Sequence, residues 1–242
     1  MDGYERFGYR VENQVESRRR ALTAEAAFSV FAIEKEIQNG SREAMEADVI
    51  RTTAWEEAVT RLGKYSGEGL DIGATISAEE ANDVTNLRNA LTIFFRRHTN
   101  VTPRPHFRGC GYIDNSYADV IADNTLYEVK TVDRPFRGSD LRQLLTYAAL
   151  NLSSGQFNIR HLGLLNPRRG IFYRVEPDAL CLGVSGSRAQ ELLSEIISTV
   201  SGAGISRWSE LNNVNSAWRT SSFFPSNPQI PLLKRRVGAQ RV

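Results

Sequence analysis

The chain has 242 residues, of which 41% are hydrophobic and 24% are charged, a balance that excludes a disordered, collagen-like or coiled-coil protein. The formal net charge is only +2, but residues 1–97 carry a net charge of −4 and residues 98–242 one of +6, which favours a polyanionic partner for the second part. No segment reaches the ~18 consecutive apolar residues of a membrane-spanning helix, and no signal peptide is visible at the N-terminus. The two cysteines suggest neither a disulfide framework nor a zinc site, so we expect a cytoplasmic protein that does not contact a membrane.

The first part of the chain is predicted to be helical. Residues 12–65 contain good helix formers and no proline, and Asn39-Gly40 divides them into at least two helices. After a glycine-rich linker at 66–74, a further helix is predicted to begin behind Ser77, where Glu80 completes a capping-box spacing. We assign residues 1–76 to a helical N-terminal region that serves assembly, with another copy or a partner protein, or target selection.

From residue 99 onward the pattern changes to short strands and two further helices. Prolines exclude a helix at 103–105, and the alternation of apolar and polar residues predicts strands. Ser139 is the expected N-cap of the first of these helices. The predicted strands are 106–113, 117–122, 125–131, 157–165 and 170–175, and the predicted helices are 139–152 and 187–200. This order predicts an α/β (α+β) core over 77–201, followed by a polar and basic tail at 202–242.

The most informative segment is the hairpin predicted around Asp123-Asn124. A two-residue turn at this position places Asp119 directly opposite Glu128, and the alternation of side chains along a strand puts Lys130 on the same face. Apolar neighbours on both faces predict that the hairpin is covered on both sides. Two buried carboxylates at directly opposite positions of a hairpin need a positive charge between them. Either Lys130 bridges them, or a divalent cation such as Mg²⁺ does.

In this segment the chain resembles the PD-(D/E)xK nuclease superfamily. Asp119 and the strand Glu128-Val129-Lys130 match the signature, and Gln143 and Tyr147 on the next helix look like the QxxxY motif of the RecB-like branch. The proline that usually precedes the first acid is replaced by Ala118. The resemblance implies a restriction-endonuclease-like mixed sheet flanked by helices.

The resemblance also implies a mechanism. Asp119 and Glu128 would hold Mg²⁺, for which Mn²⁺ can substitute, with the Val129 carbonyl as a further ligand. Lys130 would orient or activate the attacking water, and Gln143 and Tyr147 would lie beside the site. The implied activity is the hydrolysis of DNA phosphodiester bonds, in an enzyme similar to restriction or antiphage-defence effectors. Two alternatives stay open: a degraded, non-catalytic nucleic-acid-binding or assembly protein, and a nuclease for RNA or DNA repair.

Two further groups of residues have alternative interpretations. Glu80 falls on the apolar stripe of its helix, so it is a candidate third metal ligand, although the capping box with Ser77 explains it equally well. Arginines near the hairpin are candidate phosphate contacts. His161 is predicted to be structural. The candidate phosphate contacts are Arg96, Arg97, Arg104, Arg108, Arg134, Arg137, Arg142, Arg168 and Arg169.

Overall fold

The computed structural model describes residues 4–8, 10–63 and 75–202. They form a six-stranded mixed sheet with flanking helices and a helical N-terminal region, so the expected fold class is confirmed. Within these residues no helix is both long and apolar enough to cross a lipid bilayer. The strands are β1 Glu5–Arg6, β2 Val101–Pro103, β3 His106–Phe107, β4 Ser116–Tyr117, β5 Val120–Ala122, β6 Thr125–Val129, β7 His161–Asn166 and β8 Ile171–Val175. The helices are α1 Arg20–Gln38, α2 Ala47–Gly63, α3 Ala78–Phe95, α4 Gly138–Ser154, α5 Pro177–Ser185 and α6 Ala189–Gly202.

The strand order of the main sheet is β1-β8-β7-β6-β5-β2, and β3 and β4 form a separate ribbon. All neighbours in the main sheet are antiparallel except β6 and β7, which are parallel. A parallel pair needs a crossover connection, and α4 supplies it between β6 and β7. This topology brings α4 close to the end of β6, where the predicted site residues lie.

Both faces of the central hairpin are buried, as the sequence predicts. On one face Ile121 and Leu126 pack in a core with Leu144 of α4. On the other face Val120 and Tyr127 pack against α1 and α3 in a second core, which includes Phe31, Phe94 and Phe95. A third core joins α1, α2 and α3 through buried residues that include Leu22, Ala54 and Leu87. A charged side chain on this hairpin therefore lies in a largely apolar environment.

Helix α3 begins as predicted and α4 does not. The side chain of Ser77 accepts the Glu80 N–H, and Glu80 accepts the Ser77 N–H, so the predicted capping box is confirmed. The N-cap of α4 is Arg137, and the carboxylate of Asp140 accepts its N–H at 2.8 Å. The prediction that Ser139 caps α4 is wrong, because Asp140 satisfies the first turn from inside the helix.

The structure also contains elements that the sequence did not predict. The short strands β1 and β2 pair at the two edges of the sheet, and α5 follows β8. Residues 10–19 are not α-helical; within them the backbone N–H of Val11 donates to the carbonyl of Arg168. Two predicted strands are shorter than expected. The strand predicted at 106–113 ends at Phe107, and the strand predicted at 157–165 begins only at His161. The linker at 66–74 and residues 203–242 of the tail lie outside the described residues.

Candidate active site

The turn at Asp123-Asn124 sets the register of the central hairpin. Asp123 adopts a left-handed conformation (φ +50°), which Asp tolerates, and its carboxylate accepts the backbone N–H groups of Thr99 and Asn100. Ala122 pairs with Thr125, and the ladder continues to Val120 opposite Tyr127. The predicted register is therefore confirmed. The next position along each chain holds Asp119 on one side and Glu128 on the other.

The two acids are brought together at the end of this ladder. Glu128 is only 2% exposed, and one of its oxygens, Oε2, is buried without a hydrogen-bond partner among the described residues. Asp119 Oδ2 accepts the backbone N–H of Val129 at 2.7 Å, which ties the first acid to the strand of the second. The arrangement places a buried carboxylate oxygen beside a second acid, and outside this pair of acids no described residue donates a hydrogen bond to it.

Lys130, Gln143 and Tyr147 extend this pair into a hydrogen-bonded chain. The Lys130 ammonium donates to Glu128 Oε1 at 2.6 Å and to Gln143 Oε1 at 2.9 Å. The Gln143 amide donates to the Tyr147 hydroxyl at 3.1 Å, and that hydroxyl donates to the Tyr117 carbonyl at 2.9 Å. Since Tyr117 lies two positions before Asp119, the chain closes on the segment that carries the first acid. The five predicted site residues therefore lie next to one another in space, and Gln143 and Tyr147 reach the sheet from α4.

The pair of acids has strongly perturbed proton affinity. Burial raises the pKa of Asp119 to about 6, against the opposing effects of the Val129 N–H and the Lys130 charge. Burial also raises the pKa of Glu128 to about 8, and the negative charge of Asp119 adds to that effect. Near neutral pH the two carboxyl groups therefore retain about one proton between them. At this pH a further positive charge, such as a bound cation, would favour the doubly ionised pair.

The residues present fit a Mg²⁺ ion. Mg²⁺ is held in proteins by one or two carboxylates and keeps several waters, so Asp119 and Glu128 are a sufficient set. The unsatisfied Oε2 of Glu128 is the oxygen with a free lone pair for such an ion. In the described part of the chain, no group of three or more His, Cys, Asp or Glu side chains converges, so a richer ligand cage is not assembled there. Val129, the source of the further carbonyl ligand in the resemblance, ends β6.

Glu80 is not brought together with these two acids. Both of its oxygens receive hydrogen bonds from the Arg19 guanidinium, and Oε2 also accepts the Ser77 N–H at 2.8 Å. Glu80 and Arg19 are both almost fully buried. Hydrogen bonding to Arg19 lowers the pKa of Glu80. The capping interpretation of Glu80 explains its position, and the ion pair occupies the carboxylate that the ligand interpretation requires.

An acid that the sequence interpretation did not select lies near Asp119. Glu25 on α1 is close enough for its charge to add to the raised pKa of Asp119, whose main cause is burial. Glu25 is 3.5 Å from Arg61 and 3.6 Å from Arg104. Its place on α1, one residue before buried Ala26, indicates a side chain at the edge of the buried face. The helical periodicity of α1 could have indicated that Glu25 lies beside the buried face. It does not indicate which strand of the sheet this part of α1 approaches.

Three of the arginines that are candidate phosphate contacts form ion pairs within the protein. The Arg104 guanidinium is 10% exposed and pairs with Glu57 at 2.8 Å. Arg134 binds both oxygens of Asp140. Arg168 is 2% exposed and holds both oxygens of buried Asp83, which links the β7–β8 turn to α3. Each of these three guanidinium groups already pairs with a carboxylate, and Arg168 is too deeply buried to reach a phosphate, so the exposed arginines are the stronger candidates for phosphate contacts. Exposed side chains remain at Arg96, Arg97, Arg108 and Arg137, and half-buried ones at Arg142 and Arg169.

Comparison of the chain with protein-family models, with curated proteins and with solved structures gives no match. The candidate site consists of two adjacent acids, one lysine and a supporting glutamine and tyrosine around the end of β6.

Proposed function

We propose that the protein is a Mg²⁺-dependent nuclease that hydrolyses DNA phosphodiester bonds. The observation that carries the proposal is the pair of adjacent acids. Glu128 is buried with an unsatisfied oxygen, Asp119 beside it is half-buried, and the Lys130 ammonium adjoins Glu128. Paired acids beside a lysine at a strand end suit the hydrolysis of a phosphate ester, in which negative charge must be stabilised while water attacks. The resemblance to the PD-(D/E)xK superfamily points to the same activity.

The chain's own residues divide the work as follows. Mg²⁺ held by Asp119 and Glu128 would act as a Lewis acid on the phosphate and lower the pKa of a bound water. Lys130 is fixed by Glu128 and Gln143, so its ammonium stays at the rim of the acid pair, where it can stabilise charge that develops on the phosphate. Gln143 and Tyr147 keep Lys130 in this position. They are positioning residues in this proposal.

A nucleic-acid substrate is also supported by the surface around the site. Tyr117 is 60% exposed, and its ring lies 5.0 Å from the ring of His106. Exposed aromatic rings close to a phosphate-binding site are surfaces on which nucleobases stack. Arg108 is exposed directly after the end of β3. These residues lie near Asp119 and would hold a strand that has been separated from its complement.

The experiment uses supercoiled plasmid DNA, linear DNA and a labelled RNA of matched length. Each is incubated with the protein and Mg²⁺ or Mn²⁺, and then with EDTA. Conversion of plasmid to open and linear forms indicates internal cutting, and progressive shortening of linear DNA indicates cutting from ends. Cleavage that survives EDTA would contradict the metal requirement, and cleavage of RNA alone would favour the ribonuclease alternative.

Variants connect any activity to the site. Asp119→Asn keeps an acceptor for the Val129 N–H, and Glu128→Gln keeps the side-chain volume, so both should fold while losing cleavage. Asp114→Ala is the matched control, since it removes an exposed acid from the same segment. DNA binding without cleavage in the wild-type protein would favour the alternative of a non-catalytic binding or assembly protein, for which the close Lys130–Glu128 pair is the specific supporting observation.

A role in restriction or antiphage defence, in the cytoplasm, is proposed by analogy with the superfamily. The direct test is plaque formation on cells that express the wild-type chain or the Glu128→Gln variant, with protection expected only from the wild type. Assembly through residues 1–76, with another copy or a partner protein, also remains a proposal. Its measurement is the mass of the full chain in solution by light scattering.

A further inference from the structure

A cleft lies at the turn end of the central hairpin, away from the pair of acids Asp119 and Glu128. It has a volume of about 430 Å³ and surrounds the turn Asp123-Asn124 on the face covered by α3. Thr125 lines the cleft, and three residues further along β6, roughly 10 Å at the usual rise of a strand, Glu128 belongs to the candidate active site. Tyr127 and Glu128 point to opposite faces. The cleft is therefore separate from the site described above.

The floor of this cleft is aromatic. Phe94 and Tyr127 are buried beneath it, with ring centroids 5.3 Å apart, and Phe172 is half-buried at 5.1 Å from Phe94. Phe7 closes one side, 4.9 Å from Phe94. Gly163 on the neighbouring strand makes room for this floor, because a Cβ atom there would lie 2.4 Å from the ring of Tyr127. The half-buried rings of Phe7 and Phe172 are thus the aromatic surfaces that the cleft exposes, and the buried rings of Phe94 and Tyr127 support them from below.

The rim of the cleft is cationic. Arg97, Arg160 and Arg174 line it with exposed side chains, and within the described ranges none of the three pairs with an acid. Arg174 is held in place by neutral partners, since it donates to Thr125 Oγ1 at 3.2 Å and meets His161 Nδ1 at 2.9 Å. The acidic lining residue is Asp123, whose carboxylate already accepts two backbone N–H groups. The guanidinium groups therefore remain available to an anion.

Two histidines in the cleft provide hydrogen-bonding groups without adding charge. A guanidinium has no acceptor, so His161 Nδ1 accepts from Arg174 and the proton lies on Nε2, which can donate to a ligand. Burial is the first cause that lowers the pKa of both His98 and His161, and neighbouring arginine charge adds to it. Both rings are thus neutral near pH 7. The positive potential of the cleft comes from its arginines.

We propose that this cleft binds a phosphorylated nucleoside. Its base would lie against the aromatic floor and its phosphate against the arginine rim, since aromatic rings bind bases by stacking and guanidinium groups bind phosphates through charge-assisted hydrogen bonds. The volume is within the range of roughly 300–1,000 Å³ typical of small-molecule sites. The ligand is either a free nucleotide or a terminal nucleotide of a nucleic-acid strand. The proposal does not depend on nuclease activity.

The test measures equilibrium binding to the full chain carrying Glu128→Gln, in EDTA, so that neither hydrolysis nor a metal-held phosphate contributes. The probes are ATP, adenosine, inorganic phosphate, and a short oligothymidylate with or without a 5′-phosphate. We expect ATP or the phosphorylated oligonucleotide to bind at least about 10-fold more tightly than adenosine or phosphate alone. Preference for ATP identifies a free nucleotide as the source, and preference for the phosphorylated oligonucleotide identifies a strand end.

Matched variants locate the binding. Arg174→Met and, independently, Arg160→Met should each weaken binding by at least about 10-fold, the effect of losing a charge-assisted hydrogen bond. Arg188→Met, which removes an exposed arginine outside the cleft, should leave binding unchanged. Thermal melts of all three variants confirm that they are folded. The proposal is overturned if no probe binds, if phosphate alone binds as tightly as the nucleotides, or if the control weakens binding as much as the cleft variants.

Discussion

Replacement of Lys130 by Met separates a catalytic role of the ammonium from a purely structural bridge. The substitution removes the hydrogen bonds to Glu128 and Gln143, of 2.6 and 2.9 Å. Breaking a buried ion pair usually costs about 3–5 kcal/mol. Here the cost is smaller for two reasons. The Lys130 side chain is 20% exposed, and Glu128, whose pKa is raised to about 8, is already largely protonated near neutral pH, so the variant is not left with a fully charged buried acid.

Gln143 is exposed, so its amide oxygen can bond to water once the ammonium is removed. The expected loss of stability is therefore that of the remaining bond to Glu128, about 2 kcal/mol. For a chain of this size each kcal/mol lowers the Tm by roughly 2–4 °C, so a decrease of about 4–8 °C is expected. If Lys130 acts on the reacting phosphate, cleavage should fall by roughly 10²–10⁴-fold, while binding of Mg²⁺ and DNA is retained.

The assay combines thermal melts, with and without Mg²⁺, and single-turnover cleavage by the same preparation. Lys35→Met is the control, because it removes the same charge from another part of the protein. Within the described residues, the Lys35 ammonium donates its side-chain hydrogen bond to Gln38 and not to an acid. Cleavage by Lys130→Met at the wild-type rate would refute the catalytic role. A far larger decrease in Tm that Mg²⁺ does not reverse would show that Lys130 is chiefly a structural bridge.

Three further predictions concern the other site residues. The pKa values of Asp119 and Glu128 are raised to about 6 and about 8, so both acids bind protons more tightly in the folded state than in the unfolded state. Without metal, the free energy of unfolding should therefore decrease as the pH rises through these two pKa values. Over the same pH range the affinity for Mg²⁺, measured by calorimetry, should increase. Gln143→Ala and Tyr147→Phe should each reduce turnover by about 10-fold without preventing metal binding, because they interrupt the hydrogen-bonded chain that positions Lys130. Glu80→Gln should lower the free energy of unfolding by about 1–3 kcal/mol, measured by denaturant titration, and leave cleavage unchanged, because it weakens the pair with Arg19 and keeps the capping box.

Each of these predictions has an outcome that contradicts it. A metal affinity that does not vary between pH 6 and pH 9 would show that the acids are not coupled to proton binding. Full turnover in Tyr147→Phe would show that the hydroxyl does not contribute to the site. Loss of cleavage in folded Glu80→Gln would return that acid to the list of metal ligands.

The parts of this protein that the sequence determined are those set by contacts between near neighbours in the chain. The register of the hairpin follows from a two-residue turn and the two-residue alternation of strands, so the opposition of Asp119 and Glu128 could be counted from the sequence. The capping box of α3 involves residues only three positions apart. Gln143 and Tyr147 share a helix face because they are four positions apart. The short helix α5 was missed, although Pro177 at its start and Gly186 after its end are local signals of a helix.

The tertiary structure alone decided which charges meet. Arg19 and Glu80 are 61 positions apart, and Asp83 and Arg168 are 85 positions apart, yet each pair is buried. Neither partner is specified by a local period, because a guanidinium can satisfy any carboxylate that packing brings within reach. The same is true of Glu25, which approaches Asp119 from α1, and of the arginine-rimmed cleft, whose walls come from α3, the hairpin turn and strands β7 and β8. The pattern of apolar residues shows that helices cover the sheet, but the position at which each helix crosses it depends on the packing of the complete core.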